Sequence, residues 1–220
     1  NMRDTGENRD PVFTDLRNKA LLSFLYSTGC RVSEAVKLDT EMLDLGNGTA
    51  RVYGKGKKER IVYIGENSLS AIKSYFIHIG YMDAKGFSSV DTRWEPVPPL
   101  NGKGEKTAFK IKKGLPVFVN RNRKRLTERG VFYLVEKMAE EAGIGKNVSP
   151  HTIRHSFATH MVSEGADIRY VQEMLGHESL STTQVYTHTG IGRLKEVYRA
   201  AHPHGRMEKD DRIKMRESVK

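Results

Sequence analysis

Between Asp15 and Tyr26 the apolar residues fall at 16, 20, 21, 24 and 25, the three-and-four spacing that lines one face of a helix. The longest apolar run, "ALLSFLY" at 20–26, is far short of the ~20 residues a bilayer span needs, and Ser23 breaks it. It reads as the buried face of that helix, which "STGCR" ends at Gly29. A short helix follows, with Ser33 as the expected N-cap ahead of "EAVKL". The stretch "TARVYGKGKKERIVYIG" from position 49 holds two β-rich runs joined by a Gly-Lys turn, an antiparallel hairpin with Lys55, Lys57 and Lys58 at its tip. A helix is expected over 67–79.

From 80 to 115 the periodicity is lost among Pro96, Pro98, Pro99 and several glycines, so this segment reads as an insertion, a long loop or a basic hairpin. Its second half, "KTAFKIKKGLPVFVN", has the composition to hold strands. Helical spacing returns in "TERGVFYLVEKMAEEAG" at 127–143, stopped by Gly143. "SPHTIRHSFATHMVSEG" then opens on Ser-Pro and closes at Gly165, and "ADIRYVQEMLG" runs from Asp167 to Gly176. A short helix capped by Ser181 is expected to carry Tyr186, and "RLKEVYRAA" at 193–201 has the apolar spacing of a docking helix. The pattern predicts a mainly α fold with a small antiparallel β-sheet, one domain over 1–203, and a charged tail at 204–220 too poor in apolar residues to pack alone. No internal repeat is present.

Charge narrows the partner. The 37 Lys and Arg exceed the 27 Asp and Glu, leaving +10, a balance suited to phosphate or an anionic surface. The single Cys30 excludes an intrachain disulfide and a cysteine zinc cage, and suits a reducing cytoplasm. The polar start "NMRDTGENRDP" has no signal-peptide pattern.

Several groups are candidates for chemistry. In "HTIRHSFATH", His151, Arg154, His155 and Ala158 share one helical face. The histidine pair has the i, i+4 spacing of a zinc site, but Thr152 stands where a metalloprotease carries Glu, and Arg154 would repel a divalent cation. No metal is expected; the plain alternative is a helix with core histidines. Arg31 leaves the chain just past the helix-breaking Gly29, and with Arg154 it offers two planar forks of N–H donors that match phosphate oxygens. Spacing alone does not choose among the three hairpin lysines. In "LGHESLSTTQVYTH" at 175–188, five aliphatic hydroxyls, one phenol and two imidazoles compete. His177 sits just past a helix-ending glycine, and Tyr186 lies nine residues on, where a half-buried core aromatic is the ordinary reading.

Five stretches in order, "TGCRVSEAVKL", "GKGKKERIVYIG", "SPHTIRHSFATHM", "LGHESLSTTQVYTH" and "RLKEVYRAAHP", resemble the signatures of the catalytic domain of tyrosine site-specific recombinases of the Xer and phage-integrase type. The resemblance runs from 14 to 203. It implies that Arg31, Lys55, His151, Arg154, His177 and Tyr186 form the catalytic set, with Tyr186 the nucleophile and none of the six substituted. His188 is then a neighbour and the aliphatic hydroxyls are caps and surface groups. The implied reaction breaks and restores a DNA phosphodiester through a 3′-phosphotyrosyl link, without cofactor, metal or ATP. Arg31 and Arg154 hold the non-bridging oxygens, Lys55 protonates the leaving 5′-oxygen, and His151 and His177 assist at the phenol and at a phosphate oxygen. The implied partners are double-stranded DNA at a specific site and three further copies in a tetramer on two duplexes. Lys57, Lys58 and, in the 80–115 segment, Lys103, Lys106, Lys110, Lys112 and Lys113 are expected DNA contacts, an ordinary solvated loop being the alternative for that segment. The family's N-terminal helical DNA clamp has no match here, so a fragment or a short form is expected. A type IB topoisomerase-like relaxing enzyme and a non-catalytic DNA-binding module on the same fold are the competing functions.

Overall fold

The computed structural model describes residues 10–54, 56, 58–82, 94–97, 109–145, 147–176 and 188–205. Asp10 starts α1 (Pro11–Thr28), its Oδ1 accepting from the Phe13 N–H at 2.9 Å. The expected apolar face is buried, with Phe13, Ala20, Leu21, Phe24 and Leu25 in the core. Gly29 ends the helix at φ 57°, a left-handed conformation open to glycine, and returns its N–H to the Leu25 carbonyl.

The next helix, α2 (Val32–Val36), departs from expectation at its cap. Arg31, not Ser33, is the N-cap residue, and Glu34 closes the turn by accepting the Arg31 N–H at Oε2, 2.7 Å away. The longer Glu34 side chain reaches the open donor from the third helical position, so Ser33 is drawn inside the helix.

The expected hairpin is present as β2 (Thr49–Tyr53) and β3 (Glu59–Tyr63), in antiparallel register from Thr49 opposite Tyr63 to Tyr53 opposite Glu59. A third strand that the pattern did not announce, β1 (Leu43–Asp44), joins the outer edge of β2. It is two residues long, too short for alternation to register. α3 (Glu66–His78) packs along α1. Within the 80–115 segment, β4 (Trp94–Val97) and β5 (Phe109–Lys112) form a separate antiparallel pair, the strand-bearing alternative rather than a plain loop, with β5 in the second half where strands were expected.

Three capped helices follow. Thr127 caps α4 (Glu128–Glu141), Ser149 caps α5 (Pro150–Ser163), and Asp167 opens α6 (Ile168–Leu175), which Gly176 closes at φ 68°. α7 (His188–Ala201) leads into a turn at Pro203–Gly205. From α7, Leu194, Tyr198 and Ala201 join Tyr63, Phe157, Met161, Val171, Met174 and Leu175 in a second core of the chain, with Val197 packed against it. The Tyr198 hydroxyl also meets Ser27 Oγ at 2.6 Å, tying α7 to α1. Packing continues through His204 and Gly205, the first two residues of the expected tail. The stretch expected to be a short helix around Ser181 and Tyr186 lies outside the described residues.

Candidate active site

The site forms where α1, α5 and α6 end or cross. Gly29 turns the chain out of α1 so tightly that a Cβ there would lie 2.6 Å from Phe157 Cδ1 and 3.0 Å from Leu175 Cδ2. That close approach brings the Gly29 carbonyl to α5, where Arg154 donates to it through Nη1 at 2.6 Å. The other arm of the same guanidinium, Nη2, donates to the Leu175 carbonyl at 2.8 Å. Arg154 therefore joins three elements with one planar group. Burial, reinforced by the positive charges of Arg31 and Arg60, lowers its pKa to about 10, which leaves it charged at neutral pH.

Arg31 lies two residues past Gly29 with 43% of its side chain exposed. Its Nη2 approaches the Gly176 carbonyl at 3.4 Å and its Nη1 approaches Glu34 Oε1 at 3.4 Å. Both contacts are long, so the half-exposed Arg31 fork is only loosely held. Glu34, by contrast, is 1% exposed and meets Arg60 of β3, itself 6% exposed, fork to fork. Burial raises the Glu34 pKa, but the hydrogen bonds and charge of Arg60, with the Arg31 N–H, outweigh it and hold the carboxyl below its ordinary value. Arg60 Nε then donates to the Met174 carbonyl at 3.0 Å. The last three carbonyls at the end of α6, those of Met174, Leu175 and Gly176, thus face Arg60, Arg154 and Arg31 in order. Cations are favoured there because unpaired carbonyls collect at a helix C-terminus.

His151 sits one turn before Arg154 on α5, exposed, with its ring 5.6 Å from that of Phe132 on α4. His155 is exposed on the same helix. Cys30, between the two site elements, is buried and its thiol is pushed up to about 12, so it is no nucleophile. Among the described residues no cluster of three or more His, Cys, Asp or Glu is placed to hold a metal, and no helix is long and apolar enough to cross a membrane.

Of the six residues in the expected set, the structure brings Arg31 and Arg154 to the same helix end and places His151 one turn before Arg154 on α5. Lys55, His177 and Tyr186 lie outside the described residues, as do Lys57, Lys103, Lys106 and the side chain of Lys110. Lys58 leads into β3 with its carbonyl accepting the Gly54 N–H at 2.8 Å. Lys112 ends β5, half-buried, with its N–H on the Tyr81 carbonyl at 3.0 Å, and Lys113 is exposed beyond it. Glu34 and Arg60 were missed. A sign of Arg60 was present in the strand parity, which places it on the inward side with Val62.

A model of the phage integrase family matches residues 7–191. The chain is 42% identical over 191 residues to a tyrosine recombinase XerC of Syntrophus aciditrophicus (strain SB), covering 87% of this chain and 55% of the relative. It is also 42% identical over 205 residues to a tyrosine recombinase XerD of Bifidobacterium longum (strain NCC 2705), covering 91% and 58%. Its fold is similar to the crystal structure of XerA recombinase, with a TM-score of 0.54 and 32% identity over 86% of this chain and 59% of that one. A XerH site-specific recombinase, in a post-cleavage complex with palindromic difH substrate, gives a TM-score of 0.55 at 27% identity, over 88% of this chain and 47% of that one. The chain spans little more than half the length of the curated relatives it matches. With a match this long to the family model and more than 40% identity to relatives of that type, the chain belongs to the phage integrase family of tyrosine recombinases.

Proposed function

We propose that this chain is the catalytic part of a site-specific DNA recombinase that cleaves and rejoins duplex DNA through a phosphotyrosyl link to Tyr186. The observation that carries the reading is the convergence of Arg31 and Arg154 at the end of α6, one half-exposed and one anchored, directly before His177 in the chain. Two guanidinium forks at one point suit the two non-bridging oxygens of a phosphodiester and the charge that develops on them in the transition state. They supply the positive charge that a metal supplies elsewhere, so the reaction needs neither metal nor nucleotide cofactor.

The phenol oxygen of Tyr186 attacks phosphorus, a P–O bond to tyrosine forms and the bond to the 5′-oxygen breaks. The phenol proton passes toward His151, and Lys55 supplies one to the leaving oxygen. A phenol, with pKa ~10, leaves more readily than an alkoxide, so a DNA hydroxyl reverses the step with no outside energy. His177 donates to a phosphate oxygen. Duplex DNA is the partner, as substrate DNA is in the XerH complex. Exchange between two duplexes calls for four copies, with Lys57, Lys58, Lys110, Lys112 and Lys113 adding phosphate contacts.

The test is a nicked duplex carrying a site that the protein selects from randomised DNA. The unmodified chain should give a denaturant-resistant protein–DNA adduct with EDTA present, and Tyr186→Phe should give none. An adduct formed by Tyr186→Phe, or none from the unmodified chain on its selected site, overturns the reading.

A further inference from the structure

We propose that Arg60, a residue outside the expected set, is a positioning residue for this site, holding both Arg31 and the end of α6 that precedes His177 in the chain; this rests on the recombinase reading above.

Arg60 is a cation 6% exposed on the inward side of β3. An arginine so buried is costly unless its charge is paired and its donors are engaged, and here all three of its nitrogens hold a partner. Nη1 and Nη2 grip the two Glu34 oxygens and Nε grips the Met174 carbonyl. A bidentate pair of this kind fixes direction as well as distance. Its two ends lead to two different parts of the site.

The Glu34 end leads to Arg31. Glu34 Oε2 accepts the Arg31 N–H at 2.7 Å, so the carboxylate that Arg60 orients sets the backbone from which the Arg31 side chain departs. Arg60 also satisfies the charge of Glu34. Arg31 stands only 3.4 Å from the same carboxylate, and with Arg60 removed it would become the nearest guanidinium to an unpaired buried anion. Arg31 would then be drawn inward, away from an incoming phosphate.

The Met174 end leads to His177. Arg60 holds the first of the three carbonyls that close α6, and a Cβ on Gly176 would lie 3.1 Å from Arg60 Cδ. Gly176 has φ 68°, so glycine is suited here both to the left-handed turn and to the space Arg60 fills. The residue that follows is His177. Arg60 thus ties β3, α2 and α6 together without reaching the open face where Arg31 points.

A misplacement of about 1 Å in a positioned group costs roughly 10²-fold in rate, whereas a buried side chain that touches no phosphate leaves binding nearly unchanged. The experiment measures single-turnover adduct formation at saturating protein, together with duplex affinity, for the unmodified chain, Arg60→Lys, Arg60→Met and Glu34→Gln/Arg60→Met. Arg60→Met should lose about 30- to 100-fold in rate with affinity within about threefold. Arg60→Lys should keep the charge pairing and lose about tenfold or less. The double variant leaves no buried anion to capture Arg31, and it should recover several-fold over Arg60→Met while staying at least about tenfold below the unmodified chain. Should Arg60→Met not fold, the double variant and Arg60→Lys carry the test. The proposal is overturned by a double variant or a folded Arg60→Met that reacts within threefold of the unmodified rate. Rate and affinity falling together, the mark of a general structural lesion, overturns it as well. Absence of any adduct from the unmodified chain would instead strike the recombinase reading itself.

Discussion

Arg154 donates through Nη1 to the carbonyl of Gly29, 125 positions earlier in the chain, at 2.6 Å. That bond sets the turn from which Arg31 emerges, and the Nη2 bond to Leu175 sets the helix end before His177. Arg154 therefore has a structural and a chemical role, whereas the half-exposed Arg31 has little structural one. Arg154→Lys cannot bridge both carbonyls with one ammonium, and leaving buried carbonyls unpaired costs about 1–3 kcal/mol each. Denaturant unfolding should show that loss for Arg154→Lys and almost none for Arg31→Lys. Both should lose roughly 10²- to 10³-fold in adduct formation, the usual cost of one preorganised donor.

The tight turn at Gly29 makes a second prediction. Its φ of 57° strains any residue with a Cβ, and that Cβ would fall 2.6 Å from a Phe157 ring carbon fixed in the second core. Gly29→Ala combines left-handed strain of about 1–2 kcal/mol with overpacking of about 1–3 kcal/mol. Unfolding measurements should place it about 2–5 kcal/mol below the unmodified chain, and Gly29→Ala/Phe157→Leu should regain part of the loss.

Most helices were legible because their signals are local. The Leu16-to-Leu25 spacing, the Ser149-Pro150 start and the Gly176 stop each act within about one turn, and each stands where the pattern put it. Arg31 and Arg154 were legible for another reason: their type and their place beside helix signals suit phosphate, and their convergence then follows from α1 and α5 packing together. Glu34 was not legible, and strand parity marked only that Arg60 faces inward, since the meaning of both lies in a contact across 26 positions. A Glu in a short helix and an Arg in a basic hairpin read as solvated charges until the fold buries both. The α2 cap failed likewise, because Ser33 is the better cap by residue type and Glu34 wins by reach.

The net charge of +10 sets a third expectation. Phosphate contacts release counterions, so affinity for a duplex should fall at least about tenfold between 50 and 200 mM salt, in both selected-site and random DNA. Fluorescence anisotropy across a salt series checks it; a flat response would remove backbone phosphates as the main source of affinity.

His202 carries the last prediction. Its ring is fully buried, stacked on Tyr198 at 4.8 Å, with Nε2 3.2 Å from the Tyr26 carbonyl and Nδ1 accepting the His204 N–H at 3.0 Å. That arrangement selects the neutral ring protonated at Nε2, because a second proton on Nδ1 would face the His204 N–H. Burial, and then the nearby His204, lower the His202 pKa to about 3, against about 6.5 in the unfolded chain. Between those values the unfolded chain binds the extra proton and the folded one does not. The native state is therefore at full advantage above about pH 7 and loses stability as pH falls through 6.5 toward 3, by up to about 1.4 kcal/mol per pH unit. Burial lowers His204 as well, which adds to the same trend. The depressed Glu34 carboxyl adds its own loss only at lower pH, in the carboxylate range. Urea unfolding at pH 7.5, 6.5 and 5.5 should show stability declining most over the last step. In His202→Gln, which keeps a donor for the Tyr26 carbonyl but has nothing to titrate, the decline should be much shallower from a lower starting stability. Equal slopes in the two proteins would place the sensitivity elsewhere than in this buried ring.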